Sequence, residues 1–313
     1  MNYADLHCDT LTAAFTKKSS LKNSDTDVSL DKAACFDKYI QTAAIFTNPS
    51  LSDDEGYARF LDVTGYAAEE AANNSDILAI CKSGTELDNA LANVKAAWIL
   101  SVEDARILSN DIARLDVLKR HGVRVLTPLW SGMTCIGGSF DSDGGLTNFG
   151  KAVIERCFDL SIVPDISHAS VKSANEILTI AERHGKPVIA SHSDSYSVCR
   201  HPRNLRDDQL KRIIALGGIV GLNMYPVHVS GNNCCTKDDI ARHLFKYLSF
   251  DGAVDTVCFG CDFDGIEVHP DGVSSVSDIP ALVDTFCLLG VDPSTVEKIS
   301  FTNAYNFLKN NIK

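Results

Sequence analysis

Eight short, nearly continuous apolar runs recur along the chain, and amphipathic segments lie between them. The runs occupy 3–9, 41–47, 96–103, 123–128, 161–168, 187–192, 218–223 and 256–262. Parallel strands that are covered on both faces have this continuous apolar character, whereas half-exposed strands alternate. Eight strands that alternate with helices predict the α/β class and a closed (β/α)8 barrel, the TIM barrel.

The intervening segments have the periodicity of amphipathic helices. They occupy 54–73, 110–121, 147–159, 170–184, 207–216 and 236–249. Thr147 and Ser170 are predicted N-caps, and Gly185 and Gly217 are predicted C-terminal stops. An open doubly wound sheet is the alternative fold, but its phosphate-binding Gly-x-Gly-x-x-Gly fingerprint is missing after the first strand. No repeat, low-complexity tract or linker divides the chain, so we predict a single domain, 1–313.

The charge balance restricts the class of partner. The formal net charge of −12 argues against nucleic acid, because a nucleic-acid-binding protein needs a basic face. No apolar run approaches the roughly 18 residues that span a bilayer, and the N-terminus shows no secretion signal. We therefore expect a cytoplasmic protein with no nucleic-acid or membrane partner.

The cysteine count does not by itself predict a metal site. Eleven cysteines are scattered along the chain, and in an unsecreted protein buried, reduced thiols are the expectation. Cys258 and Cys261 form a Cys-x-x-Cys, but residues three apart on a strand point to opposite faces. No second pair completes a site.

Imidazole or carboxylate side chains end five of the eight predicted strands, and the first strand carries two of them. A lone histidine at a strand end is usually a satisfied buried residue, and an ordinary strand-end acid that faces solvent is the alternative for a lone carboxylate. However, the C-terminal ends of barrel strands meet at one rim, where function concentrates. This coincidence predicts a catalytic centre. The strand-end residues are His7, Asp9, Glu103, His168, His192 and Asp262.

The first five of these residues favour a metal centre. Three imidazoles and two carboxylates without a thiolate suit zinc, with manganese, cobalt or iron as possible substitutes. Cys8 lies between His7 and Asp9 and is therefore expected to point away from the metals. Five ligands are too many for one catalytic zinc, so two ions that share a bridging carboxylate and a bridging hydroxide fit better. Glu103 is the candidate bridge.

Other residues at this rim have roles that spacing alone leaves open. Asp262 is placed for general-base work, with Asp264 as the fallback. An arginine in the loop after the sixth strand is suited to clamp a substrate carboxylate, but Arg200, Arg203 and Arg206 all compete for that role. The Gly-rich segment 131–145 is long enough to fold over the barrel mouth.

Eight motifs follow one another between residue 5 and about 265: DLHCDT, SVED, GLTNFG, DISHAS, VIASHSDSYSVC, RNLRDD, GGIVGLN and GCDFDG. Together they resemble the membrane (renal) dipeptidase family, peptidase family M19, a branch of the amidohydrolase-type barrels. The 303–308 segment, NAYNFL, is similar to that family's C-terminal helix.

The resemblance implies a two-zinc peptidase that cleaves dipeptides, often with a D-residue at the C-terminal position, and it implies a homodimer. It assigns His7 and Asp9 with Glu103 to one zinc, and Glu103 with His168 and His192 to the other. It further implies that Asp262 accepts the proton of the nucleophilic water and meets the substrate's amino group. Arg203 is implied to bind the substrate's free carboxylate.

One position departs from the family pattern. Where well-studied members carry a histidine that is thought to hold the scissile carbonyl oxygen, this sequence places Trp130. An indole donates one hydrogen bond but cannot be cationic, and loss of an oxyanion donor costs on the order of 10²–10³ in rate. Three explanations of this difference stay open: Trp130 or a neighbouring group substitutes for the histidine, the substrate differs from that of the family, or the enzyme is slow. His201 is the only nearby imidazole.

Two other functions remain open from the sequence. Related amidohydrolase-type barrels cleave cyclic amides, lactones or phosphoesters, and many bridge their metals with a modified lysine. Here no strand ends in a lysine, because Lys186 precedes the sixth strand. A non-catalytic metal-binding relative is the third possibility, and only Trp130 motivates it.

Overall fold

A computed structural model describes residues 1–313 and contains the predicted barrel. Eight parallel strands run in the order β6-β5-β4-β2-β1-β9-β8-β7, and the bridge between Asp165 and Ile189 joins the two ends. The short strand β3 lies outside the barrel and pairs with the beginning of β4. The strands are β1 (Tyr3–Cys8), β2 (Tyr39–Phe46), β3 (Leu78–Ile80), β4 (Ala96–Glu103), β5 (Val123–Thr127), β6 (Val163–Pro164), β7 (Ile189–Ala190), β8 (Ile219–Leu222) and β9 (Val257–Phe259).

All eight predicted barrel strands are confirmed, although two are much shorter than their apolar runs. In the runs 161–168 and 187–192, regular strand pairing covers only Val163–Pro164 and Ile189–Ala190. The chain beyond each of these short strands turns and places polar side chains at the barrel mouth. β3 was not predicted. Its three residues are too few for an apolar pattern to reveal them.

Helices follow the barrel strands as predicted. Thr147 and Ser170 are N-caps whose hydroxyls accept from Gly150 N and Ser173 N. Gly185 ends its helix in the left-handed conformation at φ 57°, which glycine adopts without steric cost. The helices are α1 (Thr10–Lys17), α2 (Asp53–Asn73), α3 (Gly84–Asn93), α4 (Ala113–Arg120), α5 (Asn148–Leu160), α6 (Val171–His184), α7 (Asp207–Ala215), α8 (Pro226–Ser230), α9 (Lys237–Leu248), α10 (Ile279–Leu288), α11 (Pro293–Glu297) and α12 (Asn303–Asn311). None is both long and apolar enough to cross a bilayer.

The interior of the barrel is a packed core to which every barrel strand contributes an apolar side chain. Phe301, Phe307 and Leu308, in and just before α12, join the same cluster. A barrel of this size is filled by side chains, so chemistry is confined to its mouth. The contributing strand residues are Ala4, Leu6, Ile40, Ala97, Ile99, Val125, Val163, Ile189, Ile219 and Cys258.

The cysteines follow the expectation from the sequence. All eleven are free, and Cys258 and Cys261 belong to different hydrophobic clusters, as opposite strand faces require. Cys8 is fully buried among apolar residues. None of the three takes part in a group of side chains with metal-binding geometry.

A β-bulge in β1 changes the direction in which its end points. The register shifts between Asp5 and Cys8, and the extra residue leaves both Leu6 in the core and His7 at the mouth. The fully buried carboxylate of Asp5 stabilises this bulge, because it accepts hydrogen bonds from His7 N at 2.9 Å, Cys261 N at 3.1 Å and the hydroxyl of Tyr3 at 2.7 Å.

Candidate active site

The predicted site residues converge at the mouth of the barrel. Six of them line a cleft of about 660 Å³, and His7 and His192 lie buried beneath it. Each comes from the end of a barrel strand or from the loop that follows, where the chain leaves the ladder. The six are Asp9, Glu103, Trp130, His168, Arg203 and Asp262.

Glu103 lies at the centre, and its two carboxylate oxygens face different neighbours. Oε2 is 3.4 Å from Nε2 of His7, which is in turn 3.5 Å from Oδ2 of Asp9. Oε1 is 2.9 Å from Nε2 of His168 and 3.6 Å from Nε2 of His192. One carboxylate therefore takes part in two separate groups of possible ligand atoms.

The imidazoles of His168 and His192 direct their Nε2 atoms toward each other at 2.9 Å. Nδ1 of His168 donates to the carbonyl oxygen of Trp130 at 3.1 Å, because a carbonyl can only accept. Nδ1 of His192 lies 2.7 Å from Oγ of Ser191, whose own proton goes to the carboxylate of Asp165 at 2.5 Å. In the neutral rings both Nε2 atoms then carry lone pairs.

The ionisation of the site reflects crowding of buried charges. Burial opposes the charge on Glu103, but His7 and His168 outweigh it, and the pKa of this carboxyl falls below its ordinary value. Burial, reinforced by the charge of Glu103, raises the pKa of Asp9 to about 6. Burial likewise raises the pKa of Asp262 to about 7. Burial and Arg203 lower the pKa of His168 to about 4, so this imidazole is neutral.

These observations fit a pair of cations at Glu103. Facing lone pairs and crowded buried carboxylates are both unfavourable arrangements that a positive ion between them reverses. Nε2 of His7 and Oδ1 of Asp9 are buried without any hydrogen-bond partner, as atoms reserved for a ligand would be. The donor set of imidazole and carboxylate suits zinc and similar transition metals.

Backbone strain accompanies the site. His168 has φ 67° and Asp262 has φ 65°, both in the left-handed region that residues other than glycine rarely adopt. Asp104, which follows Glu103, has φ 69°. Strained residues of this kind cluster at functional sites, where the surrounding fold holds them in place.

Asp262 and Asp264 occupy different environments, although both line the cleft. Oδ1 of Asp262 lies 3.7 Å from Nε2 of His7, and Oδ2 accepts from the side-chain amide of Asn223 at 3.2 Å. Asp264 is held by the Thr10 hydroxyl at 2.6 Å and by the backbone N–H of Asp27 at 2.8 Å. Asp264 thus fixes the loop, whereas Asp262 faces the centre.

The three arginines of the loop after β7 also separate. Arg203 is 4% exposed, lines the cleft, and has no carboxylate within ion-pair distance. Its guanidinium donates to the backbone oxygen of His192 at 3.2 Å, and its Nε has no partner. Arg200 is exposed, and the guanidinium of Arg206 stacks 3.3 Å from the ring centroid of Tyr196. Of the three arginines, Arg203 alone lines the cleft as a buried cation without an ion-pair partner.

Trp130 forms an aromatic wall of the cleft. Its ring packs edge-on against Phe46, with centroids 4.9 Å apart, and Phe140 from the Gly-rich segment lines the same cleft. His201 does not line the cleft, so the structure does not place it as a substitute for the family's histidine. Ser131 and Phe140 are the residues by which the 131–145 segment reaches the mouth.

Sequence reasoning missed four residues around this site. Asn223 ends the apolar run 218–223, so the sequence offered it as a polar strand end. In the structure its side-chain amide donates to the carboxylate of Asp262 and to the backbone oxygen of His192. Ser191 and Asp165 lie within strand runs, where serine and aspartate gave no signal of a hydrogen-bonded chain. His228, on the short helix α8, carried no signal at all.

The sequence profile of the membrane dipeptidases, peptidase family M19, matches residues 1–311. The chain belongs to this family. It is accordingly a hydrolase of the metallopeptidase class, and the (β/α)8 barrel found here is also the fold of a solved M19 dipeptidase.

Individual relatives are similar to this chain at moderate identity. An uncharacterized protein from the pqqA 5′ region of Klebsiella pneumoniae is 29% identical over 76% of this chain and 91% of its own length. An uncharacterized dipeptidase of Schizosaccharomyces pombe is 32% identical over 65% of this chain and 52% of its own length. The match therefore spans about half of the yeast protein.

Two solved metallopeptidase structures share the whole fold. The metallopeptidase dipeptidase AC has a TM-score of 0.91 and 22% identity, with 100% of this chain and 99% of that chain covered. A metallopeptidase from Rhodobacter sphaeroides, liganded with a phosphinate mimic of the dipeptide L-Ala-D-Ala, has a TM-score of 0.90 and 22% identity at the same coverage.

Proposed function

We propose that this M19 protein is a dipeptidase with two metal ions, zinc in the first instance, that share Glu103. The observation that carries this proposal is the division of the Glu103 oxygens between two ligand groups. His7 and Asp9 would hold one ion with Glu103, and His168 and His192 would hold the other. When bound, such a pair lowers the pKa of a water and polarises the scissile carbonyl.

Arg203 sets the position of the substrate. Its buried guanidinium lacks an anionic partner within the protein, and a dipeptide's free carboxylate supplies one with matching planar geometry. This requirement favours a dipeptide over lactones and phosphoesters that have no free carboxylate. Trp130 and Phe46 would cover the bound peptide on its apolar side and exclude water.

Asp262 moves the proton. Its carboxylate faces the centre, accepts from Asn223, and has a pKa raised by burial to about 7, so it gains and loses a proton readily near neutral pH. It takes a proton from the attacking water as the carbonyl carbon gains oxygen. It then gives that proton to the amide nitrogen as the C–N bond breaks, and two free amino acids result.

Substrates with a C-terminal D-residue belong to the proposal. The Rhodobacter relative was solved with a mimic of L-Ala-D-Ala, which supports testing that stereochemistry here. The test is turnover of a panel of L,L- and L,D-dipeptides by zinc-reconstituted protein, with metal content measured on the same sample. Cleavage that a chelator abolishes and zinc restores, at about two zinc ions per chain, supports the proposal. Two bound metals without any cleavage would refute the substrate assignment.

A further inference from the structure

His228 is a buried imidazole in the cleft whose ring has no hydrogen-bond partner in the protein. It lies on α8, is 9% exposed, and lines the cleft with Arg203 and Asp262. The hydrogen bonds of His228 all involve its backbone. Neither ring nitrogen is a fully buried atom without a partner, so both keep solvent-accessible surface, and the residue lines the cleft.

The orientation of this ring is fixed by its neighbours. The ring of Tyr225 packs perpendicular to it, with centroids 4.8 Å apart, and the ring of His201 lies 4.6 Å away on a tilted plane. The backbone oxygen of His228 accepts from the side-chain amide of Asn204 at 2.7 Å. A polar side chain that is buried, rigidly packed and unpartnered is arranged for a ligand.

The local charge determines what His228 can offer. Burial, followed by the nearby cation of Arg203, lowers the pKa of His228 well below its ordinary value, so the ring is neutral at neutral pH. A neutral imidazole has one N–H donor and one acceptor nitrogen. Beside an unpaired guanidinium, the ligand that both groups serve is an anionic oxygen.

We propose that His228 donates a hydrogen bond to the substrate's free C-terminal carboxylate, which Arg203 holds by ionic contact. His228 is then a specificity-determining residue for substrates with that carboxylate. His228 does not polarise the scissile carbonyl. Because Trp130 occupies the position of the family's carbonyl-binding histidine, no imidazole assists that carbonyl. This inference rests on the proposed dipeptidase function.

The test compares each dipeptide with its C-terminal amide, which keeps the scissile bond and removes the negative charge. His228→Phe keeps an aromatic ring without a donor, and His228→Asn retains a shorter N–H donor. For the free acid we expect His228→Phe to raise KM by about tenfold to hundredfold, the range for a hydrogen bond to a charged group, with kcat nearly unchanged. For the amide we expect little change, and His228→Asn restores part of the loss.

Three results would overturn the inference. An equal fall in kcat for acid and amide would assign His228 to the carbonyl, and unchanged kinetics would remove its role. The control His201→Phe alters the neighbouring imidazole outside the cleft wall, so an equal loss in that variant would indicate packing. Circular dichroism and thermal melting of each variant establish that it folds, and His228→Leu, which also lacks an N–H donor, carries the test if His228→Phe does not fold.

A binding experiment separates this inference from the dipeptidase proposal. Calorimetry measures the affinity of the wild-type protein and of the His228 variants for D-alanine and D-alaninamide. If no dipeptide is cleaved, the dipeptidase proposal fails, but weaker binding of D-alanine alone by His228→Phe still supports the carboxylate contact. Equal binding of D-alanine by all forms, or no binding by the wild type, refutes it.

Discussion

The hydroxyl of Ser191 lies 2.5 Å from the carboxylate of Asp165, and the same oxygen lies 2.7 Å from Nδ1 of His192. All three residues are fully buried. Asp165 also accepts from the Thr127 hydroxyl at 2.7 Å and from the backbone N–H of Ser167 at 2.9 Å, which holds it in place. This chain fixes which nitrogen of His192 carries the proton and leaves Nε2 free to bind a cation.

We therefore expect Ser191→Ala to weaken metal binding by about 10- to 100-fold, the usual effect of removing a partner of a metal-ligating histidine. Competition with a chromogenic chelator measures the affinity. Ser193→Ala is the matched control, because the Ser193 hydroxyl meets Ser167 rather than His192. Equal metal affinity in the wild type and Ser191→Ala would show that the hydroxyl does not position the ring.

Glu103→Gln tests the bridging carboxylate. An amide cannot bind a cation through both of its terminal atoms, so we expect this variant to lose activity and at least one of two metal ions per chain. Elemental analysis after dialysis measures the metal. Glu267→Gln, an exposed change on the wall of the same cleft, should keep the full metal content. A Glu103→Gln protein that retained both ions and full activity would contradict the bridge.

Arg203→Lys tests the carboxylate clamp. Lysine keeps the charge but loses the planar pair of donors, so we expect kcat/KM for dipeptides to fall by about 10- to 100-fold, mostly through KM. Steady-state kinetics give both constants. The exposed Arg200→Lys, three residues earlier in the loop, should match the wild type. The assignment fails if the two substitutions have the same effect.

Trp130→Phe and Trp130→Ala separate an aromatic wall from a hydrogen-bond donor. The ring packs against Phe46 at 4.9 Å, and no hydrogen bond of its indole N–H is formed within the protein. We expect the phenylalanine variant to keep kcat within about threefold, because a ring still covers the substrate. The alanine variant should raise KM about tenfold, because the substrate loses an apolar wall and buried apolar area is worth about 25 cal/mol per Å². A large fall in kcat for Trp130→Phe would instead indicate that the indole donates to the substrate.

Gly260→Ala tests the close approach of the strands beneath the site. A Cβ at Gly260 would lie 1.7 Å from the backbone oxygen of Ser191, which cannot move without displacing His192. We expect a loss of about 1–3 kcal/mol or more in the free energy of unfolding, measured by urea denaturation of the metal-loaded protein. Gly65→Ala in α2 has open space around its Cβ and should instead stabilise by about 0.5–1 kcal/mol. A Gly260→Ala protein as stable as the wild type would show that this contact relaxes freely.

The sequence by itself determined the architecture and the positions of the candidate site residues. Continuous apolar runs such as 96–103 identified the barrel strands, since burial on both faces imposes a one-dimensional pattern that a sequence displays. The same pattern marked where each strand ends, and therefore located Glu103, His168 and His192 at the mouth. The motif resemblance, confirmed by the family match, selected Arg203 among three arginines.

Only the tertiary structure decided the interactions between those positions. The division of the Glu103 oxygens, the chain from Asp165 through Ser191 to His192, and the open ring of His228 all depend on side chains from different strands and loops. Hydrogen-bond partners are set by distances of about 3 Å across the barrel, and no local pattern encodes such distances. The bulge that turns His7 into the mouth is equally invisible in sequence, because it depends on the register between β1 and β2.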